Sequence, residues 1–242
     1  MASDPDPRPR GGPQYIPRPP GVRAGLGGRW HDLGPPDARF TLAEVRAALA
    51  GSAPPVPSAW AGPDARPTAV LIPVFEAGGE VHLILTKRPE TMRSHRGEIA
   101  FPGGKFEPGT DASLAATACR EATEEIGLDP HGVRVLGELD AIATFVSGFT
   151  ISPFVGELPG RPALTLQTEE VEAAFEVPVS ELFSEATHRT EIWDIPGSRY
   201  LPEMRDREMF FFDLPGETVW GATGRILASF LDVLAAFRRE QR

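Results

Sequence analysis

The sequence contains a single cysteine, Cys119, among its 242 residues. One cysteine cannot form an intrachain disulfide or supply a cysteine-based zinc site. The chain also lacks an apolar signal segment after Met1, and it has no apolar run long enough to span a membrane. We therefore expect a protein of a reducing compartment, the cytoplasm, with no membrane partner.

Positive charge is scarce as well. The chain has 24 Lys and Arg against 34 Asp and Glu, a formal net charge of −10. Such a field repels nucleic acid unless a local basic patch overrides it, so we expect no nucleic-acid partner. The composition, 41% hydrophobic and 24% charged, is otherwise that of a globular protein with a core. An acidic protein that binds a phosphate-bearing substrate needs metal ions or a local group of basic side chains.

The first part of the chain is poor in apolar clusters. Residues 1–36 contain 9 Pro and 7 Gly, and such a composition predicts an irregular, solvated tail over residues 1–40. Residues 41–66 are expected to form a short helix and a Pro-rich linker, with Thr41 as the N-cap and Glu44 at the capping-box spacing. Residues 67–242 then form the main domain.

Within this domain, short apolar runs alternate with helical patterns. The Gly78-Gly79 pair predicts a hairpin turn between two strands. The predicted strands are 70–75, 81–86, 99–101, 133–142 and 149–155, the predicted helices are 113–126 and 226–239, and 171–183 is mixed. This irregular alternation predicts an α/β or α+β fold with a mixed sheet.

The predicted helix 113–126 carries an acidic face. Glu121, Glu124 and Glu125 stand at i, i+3 and i+4, so their carboxylates share one side of the helix. They repel one another, and the dipole at a helix C-terminus disfavours negative charge. Arg120 can neutralise Glu124, and a divalent cation such as Mg²⁺ or Mn²⁺ would neutralise the rest. The alternative is an ordinary solvated Glu-rich face, which is common.

This helix and the preceding Pro102-Gly103-Gly104-Lys105 turn together resemble the Nudix box, G-x5-E-x7-R-E-U-x-E-E-x-G-U, where U is a bulky apolar residue. The matches in its second half are Arg120-Glu121, Glu124-Glu125, Gly127 and Leu128, with Ala122 at the first U position. The first half departs from the pattern: the Gly104–Arg120 loop is two residues longer, and Ala112 stands at the Glu position with Asp111 beside it as a candidate substitute. The resemblance implies a Nudix α/β/α sandwich with a mixed sheet between helices, and a metal-dependent diphosphate hydrolase.

The resemblance also implies roles for individual residues. The metal ligands would be Glu121, Glu124, Glu125 and the backbone carbonyl of Gly104, with Arg120 orienting the glutamates and Mg²⁺ or Mn²⁺ as the cofactor. The general base of this family is a box glutamate or a glutamate from a later loop. Glu170, in the acidic cluster 169–172, is our hypothesis for it. A solvated loop without a catalytic role is the alternative.

The segment 85–104 looks like a motif that accompanies the Nudix box in CoA diphosphatases. Its matches are Leu85, Thr86, Arg88, Met92, Arg93, His95, Gly97, Glu98 and Phe101-Pro102-Gly103-Gly104. The substrate-binding residues that follow from the resemblance are Arg88, Arg93, His95, Arg96, Glu98 and Lys105. The charge pattern supports this resemblance, because the densest basic cluster of this acidic chain consists of Lys87, Arg88, Arg93, His95, Arg96 and Lys105. The planar guanidinium of arginine suits phosphate binding. A solvated basic loop remains the alternative.

Three functions are therefore open. The first is hydrolysis of coenzyme A or acyl-CoA to 3′,5′-ADP and (acyl-)4′-phosphopantetheine. The second is a Nudix hydrolase of another nucleoside diphosphate derivative such as ADP-ribose. The third is a catalytically silent Nudix ligand sensor, which the longer loop and Ala112 keep open. A homodimer is possible by the resemblance. The aromatic residues Trp193, Trp220 and Phe210–Phe212 could line a pocket for adenine or pantetheine, but core packing is the favoured interpretation.

Overall fold

A computed structural model describes residues 8–34, 37–58, 65–92, 95–144, 148–197 and 203–242. The helices are α1 Leu42–Gly51, α2 Leu114–Ile126, α3 Val179–Leu182 and α4 Gly221–Glu240. The strands are β1 Arg23–Ala24, β2 Arg66–Ala77, β3 Glu80–Lys87, β4 Ile99–Ala100, β5 Gly103–Lys105, β6 Arg134–Glu138, β7 Ile142–Ala143, β8 Phe149–Glu157, β9 Ala173–Pro178, β10 His188–Ile195, β11 Met204–Leu214 and β12 Glu217–Val219.

The larger sheet has the strand order β4-β3-β2-β8-β6, with β5 paired to β2, β7 to β8 and β9 to β3. Strands β2 and β8 run parallel, whereas the other pairs are antiparallel. The hairpin between β2 and β3 turns at Gly78-Gly79, as predicted. The predicted mixed sheet is therefore confirmed.

Both faces of this sheet are buried. Along β2, Leu71 and Phe75 belong to one apolar cluster with Ala122 of α2, while Ile72 and Val74 belong to a second cluster. That second cluster includes much of α1 and α4. A central strand covered on both sides takes apolar residues at successive positions rather than alternate ones. The sheet thus lies between helices, which is the predicted α/β/α arrangement.

A second, four-stranded antiparallel sheet has the order β1-β10-β11-β12. Its strands were not predicted from the sequence. Phe210, Phe211 and Phe212 of β11 are all buried, so this run lacks the alternation that marks a strand with one wet face. Trp193 of β10 is buried too, and the preference for core packing over a ligand pocket is confirmed for these four side chains.

The N-terminal segment packs against the rest of the chain. Residues 8–34 are mostly irregular, as predicted, but the expected solvation is wrong at Trp30, Leu33 and Phe40, which are buried. The Trp30 ring meets the Phe183 ring at a centroid distance of 5.7 Å. A few large side chains bury enough area to hold a segment that is poor in apolar residues overall.

Helix α1 begins with the predicted capping box. The Glu44 amide donates to Thr41 Oγ1 at 3.3 Å, and the Thr41 amide donates to Glu44 Oε2 at 2.8 Å. The division of the chain at residues 40 and 66 stays a prediction. Among the described residues, no helix combines the length and the hydropathy that a membrane crossing requires.

Candidate active site

Helix α2 carries the acidic face where the sequence placed it. Ser113 caps its start by accepting a hydrogen bond from the Ala116 amide at 3.2 Å, and Gly127, at φ +72°, ends it in the left-handed conformation. Glu124 is exposed, Glu121 is half-buried, and Glu125 is only 4% exposed. The three carboxylates therefore differ strongly in their access to water.

Arg120 contacts two of the glutamates on this face and also Asp111. Its Nη1 lies 2.9 Å from Glu124 Oε2, and its Nη2 lies 3.0 Å from Glu121 Oε1. Its Nε donates to Asp111 Oδ1 at 2.9 Å, and Nη2 donates to the Lys105 carbonyl at 3.2 Å. The expected neutralisation of Glu124 is confirmed, and it extends to a second glutamate.

Asp111, the candidate substitute for the glutamate that Ala112 replaces, forms an ion pair with Arg120. It is buried, and besides Arg120 it accepts hydrogen bonds from the Glu107 amide and the Thr117 hydroxyl, both at 2.9 Å. The Arg120 guanidinium, followed by these hydrogen bonds, holds the pKa of Asp111 well below its usual range although burial opposes this. Asp111, which directly precedes Ala112, therefore anchors Arg120. The loop accommodates its two extra residues and keeps the Asp111–Arg120 ion pair.

Glu125 is a carboxylate in dry surroundings. Burial raises its pKa to about 8, against the opposing effects of the Gly103 amide, which donates to Oε2 at 3.3 Å, and of the Arg88 charge. Burial also raises the pKa of Glu121. A carboxylate in this position is stabilised in its charged form by a nearby cation.

Gly104 in β5 lies against the Glu121 side chain. A methyl group on Gly104 would stand 2.3 Å from Glu121 Oε1 and 2.6 Å from Oε2, closer than atoms pack. β5 itself is fixed by pairing with β2, where Gly104 stands opposite Ala69. The absence of a side chain thus brings the Gly104 backbone and the Glu121 carboxylate together.

The acidic segment, residues 165–172, is tied to the end of α2 through the backbone. The Gln167 amide donates to the Glu125 carbonyl at 2.9 Å, and the Thr165 amide donates to the Ile126 carbonyl at 3.0 Å. Glu170 is exposed, and its charge raises the pKa of both Glu121 and Glu125. The structure places the hypothesised base next to the acidic face, and its role stays a prediction.

The basic loop, residues 88–98, closes on itself at its base. The Arg88 amide donates to the Glu98 carbonyl at 3.0 Å, and the Gly97 amide donates to the Arg88 carbonyl at 3.1 Å. The Arg88 Nε is buried and has no hydrogen-bond partner among the described residues, and the charge of Arg88 lowers the pKa of Glu125. Arg88 is therefore a loop residue whose charge acts on the acidic face.

The other predicted substrate-binding residues have local contacts. His95 Nδ1 lies 2.8 Å from Glu98 Oε2, and this bond raises the pKa of His95. Arg96 Nε donates to the Met92 carbonyl at 2.7 Å. The exposed Lys105 holds its ammonium 5.8 Å from the Phe149 ring centroid. Arg93 lies outside the described residues.

The three box glutamates do not form a ready metal cage. Within the ranges that the structure describes, no three His, Cys, Asp or Glu side chains converge on one point. The physical reason is that like charges repel, while Arg120 holds Glu121 and Glu124 and the Gly103 amide holds Glu125. The residues nevertheless fit a divalent cation, because they offer hard oxygen donors, one of them buried without an ion pair among the described residues.

A model of the NUDIX domain matches residues 65–197. The chain belongs to the Nudix family. It is 45% identical to an uncharacterized Nudix hydrolase NudL of Cronobacter sakazakii over 116 residues, which are 48% of this chain and 59% of the relative. A NudL of Photorhabdus laumondii, also uncharacterized, is 36% identical over 67% of this chain and 81% of its own length. Nudix hydrolase 3 of Caenorhabditis elegans is 33% identical over 69% of this chain and 72% of its own length.

Sequence reasoning missed Glu217, a polar residue that borders this Nudix site and pairs with Lys87. Lys87 Nζ lies 3.0 Å from Glu217 Oε1 and 3.5 Å from Glu172 Oε1. Glu217 is 6% exposed and lies beyond the stretch that the NUDIX model matches. No local pattern could have revealed this pair, because its members are 130 residues apart and the strand that carries Glu217 was not predicted.

Proposed function

We propose that this Nudix hydrolase cleaves the diphosphate of coenzyme A or acyl-CoA, giving 3′,5′-ADP and (acyl-)4′-phosphopantetheine. The observation that carries the proposal is Arg88, which stands at the base of the basic loop with its charge acting on buried Glu125. Its Nε–H is buried, and no acceptor for it lies within the part of the chain that the structure describes. An unsatisfied buried donor costs roughly 1–3 kcal/mol, and a phosphate oxygen would relieve it.

The proposed metal ligands are Glu121, Glu124, Glu125 and the carbonyl of Gly104, with Mg²⁺ or Mn²⁺ as the ion. When bound, such an ion neutralises diphosphate charge and lowers the pKa of a water molecule. Arg120 keeps two of these carboxylates oriented, since it contacts Glu121 at 3.0 Å and Glu124 at 2.9 Å.

Glu170 is the proposed general base. Its segment is fixed to α2 by the Gln167–Glu125 backbone bond, and its carboxylate is exposed and so able to meet water. In the proposed step, the water oxygen forms a bond to phosphorus while Glu170 takes the water proton. The bridging P–O bond breaks, and the leaving phosphate oxygen keeps its electron pair.

The basic loop supports CoA over substrates that lack a third phosphate. CoA carries a 3′-phosphate besides its diphosphate, and the loop offers the additional cationic groups Arg93, His95 and Arg96 in a chain of net charge −10. The hydrogen bond to Glu98 raises the pKa of His95, which favours the cationic form of the ring. Binding of a 3′-phosphate by these groups is a proposal that the resemblance of the loop also implies.

Product analysis tests the proposed function. Pure protein is incubated with CoA or ADP-ribose in Mg²⁺ or Mn²⁺, beside the double variant Glu124→Gln/Glu125→Gln and the variant Arg88→Ala. We expect 3′,5′-ADP from CoA, in large excess over ADP-ribose turnover, and its loss in the double variant. For Arg88→Ala we expect kcat/KM to fall at least tenfold. Cleavage of ADP-ribose with CoA left intact would overturn the substrate assignment, and no cleavage of either would favour a ligand sensor.

A further inference from the structure

Gln14, in the N-terminal segment, reaches the base of the basic loop. Its Nε2 donates to the Gly97 carbonyl at 3.4 Å and also to the Glu217 carboxylate. Its Oε1 accepts from the Thr218 amide at 3.0 Å. One carboxamide thus links the N-terminal segment, strand β12 and the basic loop, although Gln14 lies well before the stretch that the NUDIX model matches.

Glu217 passes this link on to Lys87. The buried Glu217 carboxylate lies 3.0 Å from Lys87 Nζ, and the same ammonium lies 3.5 Å from Glu172. The Glu172 amide in turn donates to the Lys87 carbonyl at 2.8 Å. Gln14, Glu217, Lys87 and Glu172 therefore form a continuous polar chain, which we call the Gln14–Glu172 polar chain; Glu217 is its buried member.

Both ends of the Gln14–Glu172 polar chain touch segments of the proposed site. Gly97 closes the basic loop by donating to the Arg88 carbonyl at 3.1 Å. Glu172 ends the acidic segment that carries Glu170. The bonds at buried Glu217 fix the geometry of what they join, because a hydrogen bond is stronger in surroundings of low polarity and a buried group left without its partner is costly.

The N-terminal segment is anchored well enough to hold Gln14 in place. The Gly11 amide donates to the Leu214 carbonyl at 2.9 Å, and the Gly12 amide donates to Thr218 Oγ1 at 3.0 Å. A methyl group on Gly12 would stand 2.6 Å from the Glu217 Cα, so the segment lies in direct contact with the backbone of β12.

We propose that Gln14 and Glu217 are positioning residues of this enzyme, which act through Lys87 and Gly97 to hold the acidic segment and the basic loop in register. The inference rests on the proposed function for the roles of those two segments. It assigns a part in the site to residues on both sides of the matched NUDIX domain.

Steady-state kinetics of Gln14→Ala provide the first test, with whichever diphosphate the enzyme hydrolyses as substrate. We expect KM to rise about tenfold with kcat within threefold, because the Gly97 contact is to the binding loop. The neighbouring variant Tyr15→Ala is the matched control, since Tyr15 is 86% exposed, and it should keep the wild-type KM. A wild-type KM in Gln14→Ala, or an equal effect in both variants, would overturn the proposal.

A double-mutant cycle tests the Glu217–Lys87 step. Glu217→Gln and Lys87→Met should each lower kcat about tenfold. The double variant should have about the same kcat as the less active single variant, because each change breaks the same link. Additive losses would contradict a shared pathway. Lys87→Arg should recover most of kcat, since it keeps the ion pair.

Amide hydrogen exchange tests the positioning role without any measurement of activity. In Glu217→Gln, the amides of residues 95–98 and 167–172 should exchange faster, while those of α4 should not. This readout needs no substrate, so it decides the positioning role even if neither CoA nor ADP-ribose is cleaved. Unchanged exchange in both segments would refute the inference.

Discussion

Arg120 and Asp111 form an ion pair at 2.9 Å between α2 and the loop before it. Asp111 stands directly before Ala112, the position at which the Nudix pattern has a glutamate. The neighbouring carboxylate therefore reaches Arg120 across a loop that is two residues longer than the pattern. This contact ties the loop to α2 despite the two extra residues.

Removing the Asp111 carboxylate should destabilise the protein. Asp111→Ala leaves the Arg120 guanidinium without its buried partner, and we expect a loss of roughly 3 kcal/mol in the free energy of unfolding at pH 7. Urea denaturation measures it, with the exposed neighbour Glu107→Gln as control. Because the folded-state pKa of Asp111 is lowered, this contribution is present above its ordinary pKa and is lost as pH falls below it. A loss under 1 kcal/mol would show that the pair is not an anchor.

Gly104→Ala should damage the site and spare the fold. The three atoms nearest to the added methyl all belong to the end of a flexible side chain, the Glu121 carboxylate. We expect kcat to fall at least 100-fold with the melting temperature within about 3 °C of wild type. Gly132→Ala is the control, since a methyl there meets no atom nearer than 3.9 Å. Wild-type activity in Gly104→Ala would mean that Glu121 works from another position.

Divalent cations should raise the melting temperature through the box glutamates. A ligand that binds only the folded state stabilises it by mass action, by about 2.7 kcal/mol at 100 times its Kd. We expect 5 mM MnCl₂ to raise the melting temperature of the wild type, and to raise it much less in Glu121→Gln and Glu125→Gln. Glu107→Gln should respond like the wild type. An equal rise in all four proteins would place the cation elsewhere.

The pH dependence of stability should report on His188. Its ring is buried 4.6 Å from the Trp30 ring centroid and 5.7 Å from that of Phe212. Burial, with a smaller effect of Arg29, lowers the pKa of His188 to about 4. The neutral ring is favoured by folding, so stability is full above about pH 6.5 and is lost as pH falls towards 4, by up to about 3 kcal/mol.

His188→Phe should flatten this acid dependence between pH 6.5 and 4, as measured by urea denaturation at several pH values. His131→Phe, at an exposed position, checks whether any histidine produces the same change. A wild-type slope in His188→Phe would assign the acid sensitivity to other groups.

The sequence by itself determined the parts of this protein that local physics controls. The spacing of Glu121, Glu124 and Glu125 put three carboxylates on one helix face, and the Thr41–Glu44 capping box and the Gly78-Gly79 turn followed from short-range rules. Arg120, four residues before Glu124, was near enough to predict as its partner. These features depend on neighbours within one or two turns, so short-range spacing rules are enough to predict them.

Only the tertiary structure decided the rest. The Lys87–Glu217 and Gln14–Gly97 contacts join residues that are 130 and 83 positions apart, and no periodic pattern encodes such pairs. The β10–β12 sheet escaped prediction because Phe210–Phe212 are buried without alternation. The N-terminal segment packs against the domain although its composition predicts a solvated tail. The reason is that a few large side chains, such as Trp30, are buried in a core formed by distant parts of the chain. Burial depends on the assembled fold, so the sequence could not predict that Glu125 is buried while the adjacent Glu124 is exposed.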